Sequence, residues 1–424
     1  MRSALVVAFV FGALAACRDS GPAHHVIVNT LAGDKVEPNV TVIAHSPKGD
    51  VVDITTADPT GRADIGIDDD SLVSVVFPGE ISNITPVISV ITTEPPRDGS
   101  ELTIHGPPNH KTPPLIVGVL QLDGRNLNSA DYFNVTLGCV TVRVDSLPAI
   151  IDVSSCNLGS DQNLDILVRG YHDVGTPPVP QLDGYGAGRA AMTNGAATFD
   201  VQQWLTTGTP VAVALPAQAA LTWTMHVDGL DFISEPMSAT PYAFTGLMVD
   251  TTTVDALVPA AHGAQITTRA FMSTPTTVSL AESDFLPALE PIPAAPTIAP
   301  ATIEWTATGI EADALYVHAT WTVGVRVAGI VPPGPHVVVW DAILPPGATS
   351  VTLPEIDGDL HDAIAPPNIA PTDVMLRALD SSAIDGYTAL VAAGIRAEET
   401  PQVSPIVDPP VGGQVRVSES VGAE

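Results

Sequence analysis

Residues 314–329 read ALYVHATWTVGVRVAG, and their alternation decides the fold class. Leu315, Val317, Ala319, Trp321, Val323, Val325 and Val327 fall on one face of an extended chain. Tyr316, His318, Thr320, Thr322 and Arg326 fall on the other. A period of two over this length marks a strand, because successive side chains of extended backbone point to opposite sides. The same pattern recurs outward in both directions. HVVVWDAIL (336–344) and TSVTLPEI (349–356) follow, with Pro-Gly turns between them. Upstream, LTWTMHVDG (221–229) sets Leu221, Trp223, Met225 and Val227 against Thr222, Thr224, His226 and Asp228. VTVIAHS (40–46), ADIGI (63–67), SLVSVVF (71–77) and PVISVITT (86–93) are shorter candidates. Long amphipathic helical patterns are scarce. The expectation is an all-β fold of tandem β-sandwiches.

Composition supports that reading and narrows the partners. The 424 residues include 40 prolines and 34 glycines, which punctuate the chain into short apolar runs, and aromatic residues make up only 5%. The formal net charge is −31, and Lys35, Lys48 and Lys111 are the only lysines. A chain so acidic is repelled by nucleic acid and by anionic lipid headgroups, so neither is an expected partner of its surface. Two to three domains fit the length.

The first residues propose another route to a membrane. Met1-Arg2 is a short positive segment, and SALVVAFVFGA (3–13) is apolar but too short to span a bilayer. Leu14-Ala15-Ala16-Cys17 follows. This leader resembles that of bacterial lipoproteins, with Leu-Ala-Ala-Cys at the lipobox. The resemblance implies cleavage after residue 16 and a lipid on the Cys17 thiol. It also implies a place in the cell envelope, facing the periplasm or the cell surface, with Arg18 mildly favouring the outer membrane. Residues 17–25 then read as a tether. An ordinary signal peptide with an incidental cysteine is the alternative.

With Cys17 assigned to lipid, Cys139 and Cys156 remain. A pair of cysteines in an exported chain is expected to form a disulfide, and closing that loop is worth about 3 kcal/mol in the chain-entropy treatment. Two free buried thiols are the alternative.

Boundaries follow the punctuation. Residues 26–105 read as one small β domain. Within it, Asp58-Pro59-Thr60-Gly61 has the residue order of a type I turn. NTLAGDKVEPNVTVIAHSPKGDVVDITTADPTGRADIGI (29–67) resembles the carboxypeptidase-regulatory-like domain, a transthyretin-like sandwich. Ala57 is inserted relative to that family's hairpin motif, and Asn39 stands where glycine is commoner. The resemblance implies a non-catalytic extracytoplasmic module. Residues 115–285 read as a middle β domain, either one large sandwich or two small ones. LPALEPIPAAPTIAPA (286–301) reads as a stiff linker. Residues 302–400 read as a C-terminal sandwich, whose Trp and TSVTLPEI loosely resemble fibronectin type III. SSAIDGYTALVAAG (381–394) fits a short helix stopped by Gly394 or a further strand. Residues 401–424 read as a tail.

Signatures of chemistry are sparse. H-E-x-x-H, G-x-S-x-G, the phosphate-binding loop and C-x-x-C are all absent from the sequence. The acidic stretch DGDLHD (357–362) has Asp362 and Asn368 where a calcium loop has glycine and glutamate, and it reads as a solvated loop. DDD (68–70) reads as a charged turn between strands. Calcium held by loop carboxylates is the alternative. His226 and His318 sit among polar strand positions and read as solvent-facing. The expectation is therefore no catalytic residue, no metal and no cofactor. The function expected is binding or structural, toward a protein or glycan. A hydrolase with its site in the loops of the middle domain is the alternative.

Overall fold

The computed structural model describes residues 22, 24–32, 35–77, 87–107, 118–124, 127, 129–137, 140–154, 163–176, 179–206, 209–227, 230–233, 237–238, 242–246, 251–290, 292, 302–306, 311–324, 335–356, 358–364, 371, 373–396, 409 and 411–422. Strands dominate them, and the chain is all-β as the alternation predicts.

The first sandwich sets His24–Ala32 at the centre of one sheet. Arg62–Ile67 runs antiparallel beside it, and Leu102–Gly106 lies parallel on its other side. The facing sheet orders Val51–Thr56, Thr41–His45, Leu72–Phe77 and Val87–Thr93. Alternate residues from both sheets meet in one core that includes Val28, Val42, Ile65, Val75 and Ile91. The Asp58 turn closes as its residue order predicts. Gly61 N–H donates to the Asp58 carbonyl at 2.9 Å, with Gly61 at φ 73°. The Asp58 carboxylate accepts from Thr60 N–H, Thr60 Oγ1 and Arg62 N–H. Those bonds, the Thr60 hydroxyl foremost, hold its carboxyl below the usual range.

The facing sheet does not end at Val87–Thr93. His336–Leu344 pairs with that strand in parallel, placing Trp340 opposite Val90. Ala314–Val323, Asp373–Ser381, Gln414–Val421, Gly263–Phe271, Thr251–Ala260 and Ala220–Val227 then extend the sheet in turn. The expected boundaries do not coincide with the sheets. His24 and His25, read as tether, open the first strand. Ala220–Val227, Thr251–Ala260 and Gly263–Phe271, read as part of the middle domain, lie in this shared sheet. Residues 302–400, read as a separate sandwich, share backbone hydrogen bonds and apolar contacts with the first one. Ile43, Val76 and Val90 sit in the same core as Leu315, Trp321 and Trp340. Residues 286–301, read as a linker, place Leu286, Leu289 and Ile292 in that core beside Trp305. Proline keeps this segment out of the ladder, but extended chain still presents side chains to a core. Residues 401–424, read as a tail, contain Gln414–Val421, hydrogen-bonded on both edges with Val415, Ser418 and Ser420 buried.

The middle of the chain builds two cores back to back. Thr141–Val144, Tyr132–Thr136, Asn163–Val174 and Val179–Ala191 form one sheet. Its inner face packs on Val119–Gly124, Ala149–Asp152 and Ala196–Val201 through Phe133, Val135, Ile166, Val168, Leu120 and Leu122. Leu167 and Tyr185 on the outer face join Val211, Val213, Leu221 and Val254 in the second core. Two short helices occur near the C-terminus, Asp359–Ile364 and Gly386–Ala393. The second stops at Gly394, whose φ of 95° favours glycine.

Candidate functional site

Strand His336–Leu344 carries a buried polar network on each face, because successive residues point oppositely. Trp340 Nε1–H donates to Thr92 Oγ1 at 2.9 Å. Thr92 Oγ1 lies 2.7 Å from Ser74 Oγ, and Ser74 Oγ lies 2.8 Å from His45 Nε2. His45 Nδ1 lies 3.0 Å from the Ser46 carbonyl, which only an Nδ1–H can satisfy. Every group can then donate once in the same direction, from indole to Thr92, Ser74, His45 and the Ser46 carbonyl. This order requires neutral His45. Burial pulls its pKa down to about 4, with the Ser46 carbonyl opposing the shift.

On the opposite face Asp341, 1% exposed, accepts from Tyr316 O–H at 2.5 Å and from His318 Nδ1 at 2.7 Å. Arg377, adjacent to Tyr316 across the ladder, donates Nε–H to Glu419 at 2.9 Å. His318 is therefore not solvent-facing, as its polar neighbours suggested. Its sheet is covered on both sides, and the polar residues of the second face are paired internally. Both networks resemble catalytic groupings in composition, but their polar groups are buried and engaged with one another. What they do chemically is fix which strands lie beside which.

Nearer solvent, the middle sheet gathers a different set. The guanidinium of Arg143 lies 3.6 Å from the ring centroid of Tyr132, which stacks on Tyr171 at 5.7 Å and 21°. Arg169 stands 6.0 Å from the Tyr171 ring and donates Nη2–H to Thr136 Oγ1. Strand pairing aligns these groups. Tyr132 lies opposite Tyr171, and Asn134 lies opposite both Arg143 and Arg169. Partial burial, with the Asp173 carboxylate adding to it, raises the Tyr132 pKa. Arg143 is exposed, and its planar cation lies over the ring face with its edge donors turned outward from the stack.

A histidine–aspartate pair lies at the end of the same strand. His172 Nδ1 is 2.7 Å from Asp183 Oδ1, with the Asp183 side chain 10% exposed and His172 30%. Asp183 Oδ2 is buried and lacks a hydrogen bond among the described residues. The carboxylate orients the ring with Nδ1–H inward, and so leaves Nε2 as the acceptor. Sequence reading missed this pair because a register shift between Gly170 and Tyr171 is what brings His172 and Asp183 together. YHDV and QLDGYG carry no spacing that announces it.

The residues singled out from sequence as sites, Cys17, Cys139 and Cys156, lie outside the described residues, as does Asp357 of the acidic stretch. After the turn residue Gly358, Asp359 to Asp362 of that stretch lie in the helix Asp359–Ile364, with His361 Nδ1 3.5 Å from Asp362. The DDD turn is tied down by Arg97, whose Nη1–H donates to the Asp68 carbonyl at 2.7 Å. Among the described residues no three His, Cys, Asp or Glu side chains converge as metal ligands, and no helix is long and apolar enough to cross a membrane. The side chain of His226 is not among those described. Comparison with protein-family models, with curated proteins and with solved structures returned no match.

Proposed function

We propose that this chain is a lipid-anchored protein of the bacterial cell envelope, and that its β-sandwiches bind or scaffold a protein or glycan rather than catalyse a reaction. The observation that carries the anchor is Leu14-Ala15-Ala16-Cys17 behind a short apolar segment, with regular strand beginning at His24. Two acyl chains hold a protein stably on a membrane, so its acidic surface need not adhere. Support for binding comes from the Arg143–Tyr132–Tyr171 stack, an ordered cation and aromatic pair on a rigid sheet. Intact-protein and peptide mass spectrometry of the membrane fraction tests the anchor. The mature chain should begin at acylated Cys17, and Cys17→Ser should leave the precursor unprocessed. An unmodified Cys17 in the mature chain would remove the anchor. Arg143→Ala should weaken capture of the partner by crosslinking in intact cells, with the fold unchanged.

The second reading, a hydrolase, is favoured by one observation. His172, held by Asp183, has the geometry of a general base that activates water. Envelope polysaccharides and simple esters incubated with the purified protein test it. Hydrolysis abolished by His172→Gln would support this reading, and equal rates in both proteins would end it.

A further inference from the structure

We infer that the end of the first sandwich formed by Pro22, His24 and the turn at residues 68–70 faces the lipid surface at close range. The inference rests on the Cys17 anchor proposed above. Its basis is the seat of Pro22. Pro22 is seated against Gly66, so closely that a Cβ at Gly66 would collide with Pro22 Cγ and Cβ. A glycine is therefore what admits the ring. Gly66 N–H is in turn fixed to Asp53 Oδ2 at 2.8 Å. Two residues on, His24 pairs with Ile67 in the ladder and its Nε2 lies 3.0 Å from Asp69. His25 Nδ1 lies 2.9 Å from Asp64.

Cys17 to Pro22 is five residues (22 − 17), and fully extended chain covers about 3.3–3.6 Å per residue, so the seat lies within about 18 Å of the acylated residue. The strand that starts there runs away from the seat for nine residues, His24–Ala32. It ends beside Lys35 and the Asp58 turn, about 30 Å distant at 3.4 Å per residue. Which end is nearer the bilayer follows from charge. The body carries much of the −31, and an anionic headgroup layer repels it. Repulsion pushes every part outward except the one that the short tether restrains. Asp68, Asp69 and Asp70 then stand over the headgroups across a thin aqueous layer without entering it. The far end is presented away from the membrane.

The test uses the full lipidated chain in vesicles of phosphatidylglycerol and phosphatidylethanolamine that carry a headgroup nitroxide quencher. A fluorophore is placed at Asp69→Cys or at Lys35→Cys, with the labelled parent chain as background for Cys139 and Cys156. Quenching should be several-fold stronger at position 69 than at position 35. Inserting about ten Gly/Ser residues between Gly21 and Pro22 should erase the difference, since a flexible linker of that length frees the body to rotate. Equal quenching, or stronger quenching at 35, on protein with acyl mass on Cys17 would overturn the orientation alone. Absence of acyl mass would overturn the anchor and the orientation together.

Discussion

His45 shows how one buried residue couples four strands. Protonating it at Nε2 would turn Ser74 round, then Thr92, whose hydroxyl hydrogen would need a new acceptor beside the Trp340 indole. The folded pKa of about 4 lies below the ordinary 6.5, so the unfolded chain binds the proton first. The stability this supplies is complete above pH 6.5 and is lost as pH falls toward 4. At about 1.4 kcal/mol per pH unit, the loss approaches about 3 kcal/mol. Urea denaturation of the native chain from pH 7 to 4.5 should show this decline, and His45→Gln should flatten it while lowering stability at pH 7. An unchanged pH slope in the variant would show that other groups govern acid stability. Tyr387 makes a second such bridge. Its hydroxyl donates to the Ile343 carbonyl at 3.0 Å, accepts from Glu94 N–H at 3.0 Å, and meets Thr93 Oγ1 at 2.7 Å. Burial raises its pKa far above the ordinary phenol value. Tyr387→Phe strands Thr93 and Glu94 and should cost about 1–3 kcal/mol, read as a lower urea midpoint with an unchanged slope.

At the scale of the element, His336–Leu344 is an interior strand, with Ala314–Val323 on one side and Val87–Thr93 on the other. Residues 302–424 expressed alone would expose the second edge and leave the Trp340 indole without Thr92. That fragment should aggregate or stay unfolded, and co-expression with residues 22–301 should rescue it. A soluble fragment with dispersed amide resonances would show that the C-terminal strands need no partner. The alternation in 314–329 predicted its strand correctly through Val323, whereas residues 381–394 fitted either a short helix stopped by Gly394 or a strand, and the fold takes the helix. What sequence could not supply was the partner. Parallel pairing between segments far apart leaves no local mark, whereas a hairpin has its turn residues. Gln414–Val421 was hidden for a related reason. Its sequence mixes Val415, Val417 and Val421 with Ser418, Glu419 and Ser420, and the proline-rich approach outweighed that short alternation. The buried serines suit a strand packed closely on both sides. Leu289 and Ile292 were hidden by prolines, which argue against a ladder but not against burial.

For the whole molecule, the shared sheet makes the first and last thirds one cooperative unit. Ile43 and Val90 meet Leu315 and Trp340 in a single core, so neither set can open without exposing the other. Native-state hydrogen exchange should therefore give Val42, Val90, Val317 and Trp340 amides the same opening free energy. Val168, in the separate middle core, should open independently. Protection of Val42 that outlasts that of Val317 by orders of magnitude would divide the unit. All-β character was readable from composition and alternation because those are local properties. The candidate surface was not, because Tyr132, Arg143, Arg169 and Tyr171 become neighbours only through strand register.

The parallel junction also sets a clock. Val337, the partner of Val87, follows it by 250 residues (337 − 87). At synthesis rates of about 5–20 residues per second, that gap lasts about 12–50 s. For that interval Val87–Thr93 has emerged with one row of amides and carbonyls unmatched, and β-branched Val87, Ile88, Val90 and Ile91 stand along it. Such an edge invites a second nascent copy to fill the vacancy. The danger for this chain is thus greatest while it is being made, and it passes when its final third arrives.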